Sequence, residues 1–377
     1  MKIGLVAGEA SGDLLGAGLI HAIKSRVPAA TFEGVAGPAM VAAGCVQWEE
    51  ADALAVFGLI EPLTEIPRLL MLRRSLAKRW KASPPDVFVG IDAPDFNFGL
   101  EKTLRKAGIR TTHYVSPSIW AWRPGRVKTV RKAADRVLCI LPFEKAIYDA
   151  HGVDAVFVGH PKASTLPTDI DVDSVREFLD LGNGPVIAIL PGSRRGEVSR
   201  LGPLFASAAA ILAEARADIR FVTPVARPAL RPLIEEQLAS VGMSDRFCLI
   251  DGDSIEAMAA ADVVLLASGT AALESALLGK PTVAAYKVAK LTAFIVRLFD
   301  LLKTDTFTLP NLLTETMLIP EFIQEQATSQ ALAQAVADLL DDPARREEIS
   351  SRFATLRTQL ALGADDRAAE AVIELAR

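Results

Sequence analysis

An apolar run from Val87 to Ile91 stops at Asp92, Pro94, Asp95 and Asn97, within the stretch "DVFVGIDAPDFN". A carboxylate at the end of a buried strand has a rigidly held backbone, which suits a general base or a fixed charge. Two further stretches place small residues and cations where a strand gives way to a helix. In "LLASGTAALE" the turn Ser268-Gly269-Thr270 leaves backbone N–H groups bare at a helix start, a spot that suits a diphosphate. Glu274, one helical turn on, is placed to accept hydrogen bonds from ribose hydroxyls; a plain N-capped helix is the bland alternative. "LPGSRRGEV" ends another strand in a glycine turn with Arg194 and Arg195. Arginine there reads as a clamp for phosphate or a leaving group, or else as a solvated pair. Two anion-ready turns in one half of the chain are more specific than either alone.

The first turn, "AGEASGD", lacks the G-x-G-x-x-G spacing of a dinucleotide site. Glu9 and Asp13 would also repel a pyrophosphate, so this turn, with Ser11 and Gly12, is expected to face a sugar or an acceptor. Asp92 and Asp95 form no D-x-D pair, and His113 and His160 have no spaced partners. Chemistry without a metal or a cofactor is the expectation.

These residues need a scaffold. Short apolar runs ("KIGLVAG", "TFEGVAG", "DVFVGID", "RTTHYVS", "RVLCIL", "AVFVGH") alternate with helical patterns in the first half. That implies a parallel sheet covered on both faces. Proline, aspartate and glycine gather over residues 161–185, the best boundary. A second series then follows: "PVIAILPGS", "IRFVTPV", "FCLIDG", "DVVLLASG", "PTVAAYK". Helices close the chain from about residue 328. The expected architecture is two doubly wound α/β domains with a cleft between them, ligands lying beyond the carboxyl ends of the strands.

Three segments suggest apolar or anionic partners. "HYVSPSIWAWRPGRVKTVRK" sets Trp120 and Trp122 beside a basic series, suited to a phosphorylated, partly apolar ligand or to an anionic membrane. Residues 54–80 include a basic amphipathic helix from Ile66 to Trp80, and residues 291–302 carry more apolar surface than one buried stripe needs. Ordinary core packing is the alternative for each.

The 377 residues, half of them hydrophobic and carrying a net charge of −5, describe a globular protein and argue against a general nucleic-acid binder. Cys45, Cys139 and Cys248 have no metal-like spacing and no disulfide pattern, as in a reducing cytoplasm. No run of about 18 apolar residues occurs, and Glu9 and Asp13 interrupt any leader-like core.

Taken in order, "VAGEASGD", "GVAGP", "VGIDAPDFN", "HYVSPSIWAWR", "LPFEK", "VGHP", "LPGSR", "LLASGTAALE" and "LPNLL" resemble the lipid-A-disaccharide synthases, along essentially the whole chain. The resemblance implies a GT-B-like fold, two Rossmann-like domains facing across a cleft with C-terminal helices. Residues 1–165 would form the acceptor and membrane-associated domain and 166–364 the UDP-sugar donor domain. Residues 365–377 would be a helix packing back on the first domain. Implied too is inverting transfer from UDP-2,3-diacylglucosamine to 2,3-diacylglucosamine 1-phosphate, forming a β(1→6) link and releasing UDP, on the cytoplasmic face of the inner membrane. Asp92 would be the base, Asp95 would orient the loop or a sugar hydroxyl, and Arg194 with the Ser268–Thr270 amides would meet the leaving charge. Asn311, in "LPNLL", would contact the donor. "GEASGD" stands where "GETSGD" is familiar, and Arg195 follows Arg194 where a small residue often does, which puts Arg195 in doubt. An anionic inner-leaflet surface is an expected partner, and the large apolar surface is compatible with a homodimer. The alternatives are a UDP-N-acetylglucosamine 2-epimerase or another nucleotide-sugar enzyme of the same fold, a hydrolase with Asp92 and Asp95 as paired carboxylates, and a non-catalytic sugar-nucleotide binder.

Overall fold

Thirteen short strands recur among the described residues, and the central ones at Val87–Ile91 and Val186–Leu190 are buried at every position. The computed structural model describes residues 1–54, 66–120, 124–288 and 306–377. These fall into two compact units, residues 1–164 with 359–377, and residues 165–358.

The first unit holds a parallel sheet of seven strands: β1 (Lys2–Ala7), β2 (Thr31–Ala36), β3 (Cys45–Glu50), β4 (Val87–Ile91), β5 (Arg110–Tyr114), β6 (Arg136–Cys139) and β7 (Asp154–Phe157). Their order is β3-β2-β1-β4-β5-β6-β7. All five residues of β4 are buried, so the strand has no polar face and must be covered on both sides. Helices α1 (Ala10–Arg26), α2 (Pro38–Ala42), α3 (Ile66–Ala82), α4 (Pro94–Arg105), α5 (Val127–Ala133) and α6 (Pro142–Asp149) supply the cover. The last helix of the chain, Ala364–Ala376, packs on α1 and buries Ala368, Val372 and Ile373 in the same core as Leu5, Ile20 and Ile91. The chain re-enters this unit at Gln359, ahead of the expected boundary at 365.

The second unit begins with α7 (Pro161–Thr165) straddling its edge, then α8 (Val172–Phe178). Its strands are β8 (Val186–Leu190), β9 (Arg220–Val225), β10 (Phe247–Asp251), β11 (Val263–Ala267), β12 (Thr282–Tyr286) and β13 (Glu321–Ile323). They pair in parallel in the order β10-β9-β8-β11-β12-β13. Helices α9 (Arg195–Ala215), α10 (Arg231–Ala239), α11 (Ser254–Ala260) and α12 (Thr270–Leu277) alternate with the strands. Among the described residues α9 is the one helix long and apolar enough to cross a membrane, but its Leu201, Phe205, Ala209 and Leu212 are buried in this unit, as in a core helix.

Two strands were not foreseen, and both are edge strands. In β3 only Cys45 is buried, and in β13 none of the three residues is. A strand with one free edge and little burial carries no long apolar run to read.

Candidate active site

Ligands of open α/β sheets bind beyond the carboxyl ends of the strands, where the strand order reverses. In the first unit that point lies between β1 and β4, which pair with Ala7 opposite Ile91. The residues that follow are Gly8-Glu9 and Asp92-Ala93, so two of the sequence-derived stretches meet at one rim. They touch: a Cβ on Gly8 would lie 2.6 Å from the Ala93 methyl, a separation that only a glycine at position 8 permits. Glu9 and Ser11 are exposed on this rim, and Gly12 is buried beneath it.

Asp92 and Ala93 both adopt left-handed backbone, with φ of 51° and 41°. Asparagine and aspartate tolerate that region, whereas alanine does so at a cost. Pro94 contributes, because a proline disfavours the right-handed helical conformation in the residue before it. The reversal carries the chain from β4 directly into α4, with Pro94 at the first helical turn. The Asp92 amide donates to the Tyr114 carbonyl at 2.8 Å, and its carbonyl accepts from Asn97 Nδ2 at 2.8 Å. Its carboxylate is half-exposed and has no hydrogen-bond or ion-pair partner among the described residues. A carboxylate in this state is available to take a proton.

Two acidic neighbours play other parts. Asp13, expected to face substrate, is buried, and its oxygens accept from the amides of Gly37, Ala39 and Met40 at 2.8–3.0 Å. Both oxygens are spent on the start of α2, so Asp13 joins α1 to α2 and has little left for a ligand. Asp95 is exposed but ion-paired with Arg126. It ties α4 to the segment leading into α5, consistent with a loop-orienting part.

In the second unit the order reverses between β8 and β11, which pair with Leu190 opposite Leu266. The two anion-ready turns, residues 191–195 and 268–270, therefore meet at that rim. They are less bare than the sequence suggested. The Ser268 amide donates to the Ala285 carbonyl at 2.8 Å, extending the sheet, which removes it from the expected set of donors. Gly269 and Thr270 are exposed at the start of α12, and space above Gly269 is open. Glu274 is half-buried within α12. At the other turn Glu197 accepts from the Ser193 and Arg194 amides at 3.1 and 3.3 Å. Anion binding there rests on side chains. The Arg194 side chain is 80 % exposed and reaches Glu197 at 3.2 Å; Arg195 is exposed.

Asn311, expected to contact the donor, is buried and fully engaged. Its Nδ2 donates to the Ile319 carbonyl and to Glu321 Oε1, and its Oδ1 accepts from the Leu318 and Ile319 amides, all at 2.7–2.9 Å. With no valence to spare, Asn311 secures the loop before β13.

Behind the first rim lies a polar group with its own charge problem. Ser116 Oγ and Tyr148 OH are 2.9 Å apart, and the buried Glu144 caps the start of α6 by accepting from the Leu141 amide at 3.1 Å. Burial pushes the Glu144 carboxyl up to about 7, and the Leu141 amide and Ser116 hydroxyl only partly hold it down. Trp120 stacks edge-on against Phe143 at 5.3 Å. Residues 121–123, with Trp122, lie outside the described residues.

The basic amphipathic helix is α3, and its apolar stripe is mostly core. Leu69, Leu76 and Trp80 are buried, with the Trp80 ring tilted against Trp48 and edge-on to Phe88. Only Ile66 and Met71 remain as exposed large hydrophobics on it. Residues 55–65 and the apolar segment 291–302 lie outside the described residues. Sequence reading missed three contributors: Gly8 and Glu197, which act through close approach and capping, and Asn97. Asn97 stood in the quoted motif, but nothing in one dimension links it back to Asp92.

The sequence pattern of the lipid-A-disaccharide synthetase family matches residues 3–374. The chain belongs to that family. A lipid-A-disaccharide synthase of Alkalilimnicola ehrlichii is 48% identical over 379 residues, covering 100% of this chain and 99% of the relative. One of Chromohalobacter salexigens is 47% identical over 376 residues, covering 100% and 97%. A family member of this kind is a glycosyltransferase of lipid A biosynthesis, which uses a UDP-sugar donor and a sugar-phosphate acceptor. Among solved structures, a UDP-GlcNAc 2-epimerase from Neisseria meningitidis bound to UDP-GlcNAc aligns with a TM-score of 0.64 at 14% identity, over 99% of both chains. A glycosyltransferase from Rickettsia africae aligns at 0.60 and 13% identity, over 100% of this chain and 97% of that one. Those likenesses are of fold, two Rossmann-like units of the GT-B type. The epimerase alternative has support only from such distant neighbours.

Proposed function

We propose that this synthase-family chain transfers 2,3-diacylglucosamine from its UDP derivative to 2,3-diacylglucosamine 1-phosphate, forming the β(1→6) link and releasing UDP. Asp92 removes the proton of the acceptor hydroxyl as that oxygen attacks the anomeric carbon, and the bond to the diphosphate breaks with inversion. UDP leaves as a stable anion, so no general acid is required. Arg194 and the N-terminus of α12, through Gly269 and Thr270, meet the growing negative charge. The reading rests on one observation: a half-exposed, unpaired carboxylate at the strand-order reversal of the first sheet, in a member of this family.

The deciding experiment measures UDP release and the sugar products in three mixtures: acylated donor alone, donor with acceptor, and water-soluble UDP-N-acetylglucosamine. Release only when both acylated partners are present supports the assignment. Release from donor alone with free sugar makes the chain a hydrolase, and conversion of the soluble nucleotide sugar makes it an epimerase.

The same reading places the enzyme against an anionic membrane surface. Although the chain carries a net −5, α3 and α5 contain no acidic residue. Lys102, Arg105 and Lys106 adjoin Arg131 and Lys132 around a concavity of about 530 Å³. Each basic residue near an anionic surface contributes about 1 kcal/mol. Co-sedimentation with phosphatidylglycerol vesicles that falls as salt rises supports this; equal binding to neutral vesicles refutes it.

A further inference from the structure

The unusual backbone at Asp92 needs something to hold it, and the described structure offers one side chain placed to do so. Asn97 is fully buried within the first turn of α4. Its Nδ2 lies 2.8 Å from the Asp92 carbonyl, and 3.4 Å from both the Ile91 and Val6 carbonyls. One amide group thus spans the ends of β1 and β4 and the left-handed residue after them. The same turn is closed from the other side, since the Phe96 and Asn97 amides donate to the Ala93 carbonyl at 3.0 and 2.9 Å. One turn further along α4, Glu101 Oε1 meets His113 Nδ1 at 2.7 Å with both side chains sealed from solvent, which fastens the helix to β5. Gly90 makes room for this arrangement, because a Cβ there would lie 2.2 Å from Glu101 and 3.0 Å from Asn97.

We infer that Asn97 is a positioning residue for the transfer reaction, holding Asp92 and Ala93 in the left-handed conformation that aims the Asp92 carboxylate. Asn97 is fully buried, so in this reading it acts through the backbone of Asp92. Without its amide the carbonyls of Asp92, Ile91 and Val6 lose a common donor, and Ala93 in particular has every reason to leave a region its Cβ disfavours. The carboxylate then shifts relative to the acceptor hydroxyl, and a displacement of about 1 Å can lower turnover by about 10²-fold. Substrate contacts elsewhere on the rim are untouched, so binding is retained.

The inference rests on the reading of Asp92 as the base, and the experiment separates the two. The variants are Asn97→Ala and Asn97→Ser, the second keeping a polar group that falls short of the Asp92 carbonyl. Each is also made with Ala93→Gly, because glycine adopts positive φ without strain and lessens the need for a clamp. Expected are a fall in kcat of roughly 10- to 100-fold with KM for both substrates within about twofold, and partial recovery of kcat in the Ala93→Gly doubles. Wild-type kcat in either single variant overturns the inference, as does a rise in KM alone or a loss that Ala93→Gly leaves unchanged. Should Asn97→Ala lose its cooperative unfolding transition, Asn97→Ser and its double decide by the same criteria. An inactive Asp92→Asn beside a fully active Asn97→Ser removes only this inference; an active Asp92→Asn removes the reading beneath it.

Discussion

Gly8 and Ala93 stand so close that a single added carbon on Gly8 would lie 2.6 Å from the Ala93 methyl. The loop after β1 and the loop after β4 are therefore one packed unit, and the placement of Asp92 depends on a residue 84 positions earlier. Gly8→Ala is expected to push the Asp92 loop away, at about 1–3 kcal/mol of stability, and to lower kcat. The double variant Gly8→Ala/Ala93→Gly removes the opposing methyl and should recover much of the loss. Turnover and thermal unfolding of the three proteins check this, and an unchanged kcat in Gly8→Ala counts against it.

Asp92→Asn keeps the size and the backbone preference of the residue but cannot accept the proton. Base catalysis contributes roughly 10²–10⁴-fold, so single-turnover UDP formation should slow by at least the lower figure. Donor binding, measured by calorimetry, should persist.

Arg194 carries an exposed guanidinium beside a turn whose Ser193 and Arg194 amides are already occupied by Glu197. A charge-assisted hydrogen bond contributes about 1.5–3 kcal/mol, so Arg194→Ala should cost about one to two powers of ten in kcat/KM. Because arginine and helix dipole meet the diphosphate charge in this scheme, turnover should survive excess EDTA. Activity abolished by the chelator and restored by Mg²⁺ or Mn²⁺ would refute that part.

Glu144 ties stability to pH. Its folded-state value of about 7 lies above its ordinary 4.5, because burial disfavours the charged form. The associated stability is fully present below pH 4.5 and is lost as pH rises through 7. Its size is of the order of 3 kcal/mol. Glu144→Gln keeps an acceptor for the Leu141 amide and removes the titration. The variant should therefore gain stability relative to wild type between pH 5 and pH 8 in urea melts. The half-buried His160, held down to about 4 chiefly by desolvation, works in the opposite sense, so the difference between the two proteins is the quantity to read. A difference independent of pH would show that Glu144 stays charged throughout.

The buried strands were legible because a parallel strand covered on both faces must be apolar along its length. β4, β8 and β11 satisfy that rule, as does β1 beyond Lys2, and the residues just after them were therefore readable as the ends of strands. The edge strands β3 and β13 escaped because half-exposed backbone asks little of its side chains. The internal hydrogen bonds of Asp13 and Asn311 were not legible for a related reason: a polar residue beside a turn looks the same in sequence whether it waits for a ligand or serves a neighbouring amide.

Residue order alone determined which side chains end the central strands, since hydrophobic burial acts locally and leaves its mark on every strand covered on both faces. It determined in the same way that the chain carries two alternating series. Which of those carboxylates and amides stay unengaged was decided only in three dimensions. Asp92 keeps its carboxylate open while Asp13 spends both oxygens, and that difference arises from amides contributed by residues 24 to 27 positions further along. Hydrogen-bond demand is satisfied by proximity in space, and proximity in space is what a linear sequence does not display.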